Sequence, residues 1–147
     1  MFKNHKTKLY NTLLILSRNI FFYTKVQLPD TFESRIYLMF IHFSVLMIIA
    51  KQKGEKFDQK SYDYFFDNIE YNLRELGFGD VTVNKKMKEF NKILYDILLK
   101  LNIANTSDSK FKMNYKLISK YFEQFNNIKS IKYVQFETYF MNFFDFC

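Results

Sequence analysis

Only four residues in this chain, Gly54, Gly77, Gly79 and Pro29, are of the types that punctuate a backbone most strongly. A fold of many short strands reverses direction every few residues and draws on glycine and proline to do so. Their scarcity disfavours an all-β architecture and leans towards helices. At 147 residues the chain has the size of one ordinary domain, able to bury about two thirds of the surface its unfolded form exposes. The expected fold is all-α: one domain over residues 1–147, a bundle of about five to six helices around an apolar central one.

Hydrophobic spacing divides the chain into these helices. Residues 7–24 repeat Leu9, Leu13, Leu16, Ile20 and Tyr23 at every third or fourth position, which predicts one helix with a basic outer side. Pro29 closes the connector, and Asp30 with Glu33 three residues on reads as an N-cap and capping box for a helix over 31–53, with Gly54 as its C-cap. The apolar run within it, 36–50, has 15 residues against the roughly 20 of a spanning helix, so it is expected at the centre of the bundle. A shallow or peripheral membrane association stays open. Asp58 or Ser61 opens the next helix, whose Tyr62, Phe65, Phe66, Ile69, Leu73 and Leu76 keep the spacing of a buried face until Gly77 stops it. After a tight connection a fourth helix over 84–101 buries Met87, Phe90, Leu94, Ile97 and Leu101, with Lys85, Lys86, Lys88 and Lys92 crowding its first turns against the helix dipole. Thr106, Ser107 and Asp108 are expected to cap a fifth helix reaching about Phe125, and a short sixth is expected over 134–144.

Residue types exclude much of the usual chemistry. The one cysteine, Cys147, permits neither an internal disulfide nor a cysteine zinc site, which suits a reducing, intracellular setting. His5 and His42 are the only histidines and form no H-E-x-x-H, so no metal and no cofactor is expected. No G-x-S-x-G elbow, Cys/His pair or Walker lysine occurs, and the expectation is a binding protein with no catalytic residues, not an enzyme. Gly77 and Gly79 begin a G-x-G, but Thr82 stands where a third glycine belongs and the stretch follows a helix, so it reads as a C-cap and turn. The run Leu13, Leu14, Ile15 and Leu16 after a basic start is broken by Ser17, Arg18 and Asn19, which argues against a secretory signal.

The net charge of +7 is concentrated: residues 1–29 carry Lys3, Lys6, Lys8, Arg18 and Lys25 and no acid. With 19 lysines against 3 arginines, bulk charge is a poor sign of base reading, and DNA is not expected as a partner. Lys3, Lys6 and Lys8, with Lys85, Lys86 and Lys88, are instead expected to form a basic docking surface for an anionic membrane, a ribosome or an acidic partner. Lys112, Lys116 and Lys120 form an outward stripe that is ordinarily solvation and could also meet RNA or anionic lipid. Asp63, Asp67 and Glu70 share a side of the third helix, Glu70 pairing with Arg74 at i, i+4, within an acidic face. Arg35 and His42, seven apart, share a face of the central helix, and Asp67 or Asp80 is expected to neutralise Arg35 in a polar network inside the bundle; lining a partner groove is the alternative. Catalysis by Arg35, His42, Asp67 and Asp80 would require the four to converge in an open pocket.

Several separate pieces carry a family resemblance. Ser17-Arg18-Asn19 with Phe22-Tyr23, then Leu28-Pro29-Asp30-Thr31-Phe32-Glu33-Ser34-Arg35 and Ile41-His42, then Phe66-Asp67 and Leu73-Arg74-Glu75-Leu76-Gly77-Phe78-Gly79-Asp80-Val81-Thr82-Val83 follow one another in the order of the ubiquinol-cytochrome c chaperone family, which the chain resembles over about residues 10–100. The family usually has Gly where Ser34 stands and a Tyr-Gly-Arg-like element where this chain reads Phe90-Asn91-Lys92-Ile93. The resemblance implies an all-helical, non-enzymatic assembly factor for respiratory complex III that attends newly made cytochrome b. It implies as partners cytochrome b itself or a small assembly factor, and the ribosome in mitochondrial members. It also marks Arg18, Tyr23, Pro29, Asp30, Thr31, Arg35, His42, Asp67, Arg74, Glu75, Gly77, Gly79 and Asp80 as the positions to watch. No mitochondrial presequence precedes the first helix, which favours a compact bacterial form, cytoplasmic or peripheral on the inner membrane, over an organellar precursor on the matrix side. An aromatic patch beside the basic first helix is expected to receive cytochrome b or a partner helix. The competing reading is a ribosome- or RNA-binding helical module using the Lys88 and Lys116 regions, with salt-sensitive affinity.

Overall fold

A computed structural model describes residues 2–56, 58–106 and 110–147, with side chains from Lys8 onward. Seven helical segments and no strand occur among the described residues: α1 (Phe2–Ser17), α2 (Ile20–Thr24), α3 (Phe32–Gln52), α4 (Gln59–Glu75), α5 (Asp80–Ala104), α6 (Tyr115–Tyr121) and α7 (Ile131–Phe146). The all-α bundle around an apolar central helix is the observed fold.

The segment count exceeds the expected one because the first helix is divided. The backbone leaves α1 at Arg18, and Asn19 starts α2 by accepting the Phe21 N–H at 3.1 Å. This rotates the following residues, so that Phe22 is fully buried while Ile20, expected inside, is 71% exposed. The cap of α3 is Thr31, which accepts the Ser34 N–H at 3.1 Å, not Asp30 as expected. Asp58 caps α4 through the Lys60 N–H. Gly54 and Gly77 close α3 and α4 in paired C-terminal turns, Glu55 N–H to Ala50 O with Gly54 N–H to Lys51 O, and Phe78 N–H to Leu73 O with Gly77 N–H to Arg74 O. Both glycines sit at positive φ, 71° and 97°, which only glycine adopts without strain.

The α5 helix begins four residues earlier than expected, at Asp80. An acid now occupies the first turn, where the dipole favours it, and Lys85 to Lys92 fall beyond the turn where they would oppose it. The expected fifth helix shrinks to the seven residues of α6, capped by Asn114, and Lys112 precedes it; Ser107 and Asp108 lie outside the described residues. The last helix is longer than expected, because Ser130 caps it by accepting the Tyr133 N–H.

The α3 helix is the core of the bundle. At 21 residues it is the one helix, among those described, long and apolar enough to cross a membrane by length and composition, but most of it is buried inside the molecule. The helices α1, α5 and α7 pack on it, and α4, packed against α1 and α5, sends Phe65 and Phe66 to its Phe40 with ring centroids 5.9 Å apart. On the other side Phe22 of α2 and Tyr139, Phe140 and Phe143 of α7 close over His42, and Phe136 packs against Phe22. Each such ring removes about 150–250 Å² from water, so aromatic burial is a large stabilising contribution here.

Candidate functional site

Where α1, α3 and α4 meet, an open groove of about 540 Å³ runs along the surface. Tyr10 and Leu14 line it from α1 and Arg18 from just beyond, Phe32, Arg35, Ile36 and Met39 from α3, and Asn72, Glu75 and Leu76 from the end of α4. Its floor is apolar because the inner edges of α1 and α4 meet the largely apolar α3 there, and its rim is polar where these helices turn to solvent. Asn72 donates to the Tyr10 hydroxyl and ties α4 to α1 at one end. Burial pushes the Tyr10 phenol up, against the nearby Arg18 charge. At the other end the Arg35 guanidinium donates to Asp30 at 2.7 Å. This overturns the expected pairing of Arg35 with Asp67 or Asp80: the loop before α3 delivers Asp30 to within reach, whereas those two acids stand on other elements.

One lip of the groove continues into the connection between α4 and α5. Leu76 is 60% exposed, Phe78 40% and Val81 84%, while Val83 alone of this stretch is buried. Leu76 was expected in the core; the turn closed by Gly77 lifts it out of the buried row. Arg74 and Asp80 form an ion pair across this turn, replacing the expected Glu70–Arg74 pair, and the Lys86 ammonium sits 5.2 Å from the Phe78 ring centroid. The ion pair holds the Arg74 guanidinium above its usual range, chiefly through the hydrogen bond to Asp80.

His42 lies elsewhere, wholly buried between α3 and α7. Its Nδ1 meets the Leu38 carbonyl at 2.7 Å and its Nε2 the Tyr139 hydroxyl at 2.8 Å. Burial pulls its pKa down to about 4, against the Leu38 hydrogen bond. The polar network expected for His42 is therefore present, but Arg35 is not part of it. Asp67 stands in a separate shallow groove with Tyr62, Asp63, Met87 and Lys88, so Arg35, His42, Asp67 and Asp80 do not converge. No group of three or more metal-ligating side chains converges among the described residues.

Of the remaining positions, Pro29 and Thr31 border a third groove with Tyr37, Lys120 and Tyr121. Tyr23 packs beside α1 and donates to the Ser17 carbonyl at 2.6 Å. Lys8, Lys85 and Lys88 are exposed; Lys3 and Lys6 lie among the residues whose side chains are not described. Lys120 is 3.0 Å from Asp96, which also accepts from the Tyr121 hydroxyl at 2.5 Å. Partial burial works against the Asp96 charge, but these bonds with the Lys100 and Lys120 charges hold its carboxyl below the usual range. Sequence reasoning did not single out Tyr10, Asn72, Asp96 or Tyr139. Polar residues on otherwise apolar faces were the available signal, and it names no partner.

The profile of the ubiquinol-cytochrome C chaperone family matches residues 24–129. No curated protein and no solved structure matches the chain significantly. The family match starts at the last residue of α2 and runs past α6, so it takes in the central helix, two walls of the groove and the exposed turn at Gly77. With most of its length matched and the fold all-helical, this chain belongs to the ubiquinol-cytochrome c chaperone family.

Proposed function

We propose that the chain serves complex III assembly without catalysis, by seating an apolar segment of newly made cytochrome b, or of a small assembly partner, in the groove between α1, α3 and α4. Family membership supports the coarser role, a chaperone in assembly of this complex, and with it an association with mitochondria. The observation that carries the finer reading is the exposure of Leu76, Phe78 and Val81 beside the groove's apolar floor of Leu14, Phe32, Ile36 and Met39. Apolar side chains left facing water next to a cleft are a recognised mark of a binding surface. A helix laid in such a groove buries one face and leaves the other free, the arrangement by which amphipathic segments are commonly held.

The test is removal of the chain from its cell, with assembled complex III and cytochrome b followed by native gels and spectroscopy. Loss of both, restored by the wild-type chain and not by Leu76→Asp/Val81→Asp, is expected. Unchanged cytochrome b sinks the proposal. Capture of ribosomes in place of cytochrome b or a small partner moves the role to the lysine surfaces.

A further inference from the structure

The charged groups that line the groove are not equivalent. Arg35 is held by Asp30 at 2.7 Å. Glu75 is bonded to the Tyr71 hydroxyl, whose proton affinity rises in consequence. Among the described residues no carboxylate lies within 4 Å of Arg18, which is exposed just past the end of α1 and lines the groove. Arg18 and Arg35 both line the cleft, and both charges oppose the rise that burial causes at the Tyr23 hydroxyl. The chain has 19 lysines and only 3 arginines, yet Arg18 and Arg35 line this groove and Arg74 immediately precedes Glu75 on its rim.

We propose that Arg18 is the point at which the groove recognises a carboxylate, and that the occupant is an apolar helical peptide segment carrying an Asp or Glu side chain. This rests on the groove being the partner site. The guanidinium presents two parallel N–H groups to a carboxylate, a geometry an ammonium cannot offer, and the apolar floor at Leu14 and Ile36 excludes part of the competing water. A peptide fits both features at once: its apolar side chains cover the floor while its acid meets Arg18. A free phosphate or a nucleic acid backbone offers nothing to the floor, and a flat bilayer does not enter a cleft between helices.

The full chain is titrated with three labelled peptides of about 15 residues, the length at which an isolated helix becomes tenable, built from Leu, Ala and Gln with a central Glu, Gln or Lys. Fluorescence anisotropy should show the Glu peptide binding about tenfold more tightly than the Gln peptide at low salt, with the Lys peptide weakest. Arg18→Gln should erase the Glu preference and Arg18→Lys should keep only part of it. Raising salt should narrow the preference, because this site is open to solvent. Equal binding of the Glu and Gln peptides, or a preference that survives Arg18→Gln, overturns this proposal alone. Failure of all three peptides to bind, with the protein folded by circular dichroism, overturns the groove reading and the proposal together.

Discussion

His42 Nε2 and the Tyr139 hydroxyl lie 2.8 Å apart, joining the middle of the central helix to the last helix across 97 residues of sequence. A carbonyl only accepts, so the bond of Nδ1 to Leu38 O at 2.7 Å puts the ring proton on Nδ1. Nε2 of the neutral ring then accepts from Tyr139, whose phenol burial pushes up to about 12. The neutral ring is thus satisfied on both sides, and burial keeps it uncharged against the pull of the Leu38 bond.

Stability should fall as pH falls through the range just below neutrality. The unfolded imidazole takes a proton near pH 6.5, the folded one only near 4. Between these values the unfolded chain binds more protons, so stability is fully present above pH 6.5 and is lost on acidification. The loss is about 2 kcal/mol by pH 5, before most carboxylates titrate. Urea midpoints from pH 7 to 5 measure it; His42→Gln should flatten the slope, and a flat wild-type profile contradicts the account.

Tyr139→Phe should destabilise the fold by about 1–3 kcal/mol, since it removes the donor to a buried nitrogen and leaves nothing in its place. Native-state hydrogen exchange should show the loss in α7. A change below about 0.5 kcal/mol would mean that the His42 ring is satisfied some other way.

The break between α1 and α2 makes two neighbours respond in opposite ways. Phe22, fully buried against His42, Phe136 and Phe140, should lose about 3–5 kcal/mol on mutation to Ala. Ile20→Ala, at an exposed position, should stay within about 0.5 kcal/mol. Comparable losses at both would restore the continuous helix that the sequence suggests.

Gly77 and Gly79 should also differ. Gly77 has φ 97°, so Ala there forces a strained backbone and should cost about 1–2 kcal/mol. A Cβ at Gly79 meets nothing within 4 Å and needs no unusual φ, so Gly79→Ala should leave the thermal midpoint nearly unchanged.

Leu76→Asp and Val81→Asp should alter folding by less than about 0.5 kcal/mol, because both side chains already face water. Complex III levels should nevertheless drop in cells carrying the double variant. Normal complex III with a folded double variant would remove the exposed lip from the site.

Periodicity and caps were legible because they are local. The buried row of α4, the apolar run of α3, Asp58 as a cap and the two glycine-closed turns each depend on residues within a few positions of one another. Errors arose where two local signals competed, as when Asn19 capped a new helix inside an unbroken apolar repeat, or Asp80 started α5 ahead of its lysines.

The sequence by itself determined an all-helical chain with an apolar centre, and it carried the family, because helix period and ordered motifs are written along the chain. Only the tertiary structure decided which distant groups meet. It gave Arg35 to Asp30 and not to Asp67 or Asp80, His42 to Tyr139, and it left Arg18, at a groove with Leu76 on its lip, without an ion-pair partner among the described residues. Side-chain pairing depends on how whole helices rotate and stack to bury their faces, and that choice is made by the packed bundle as a unit, not by any one stretch of residues.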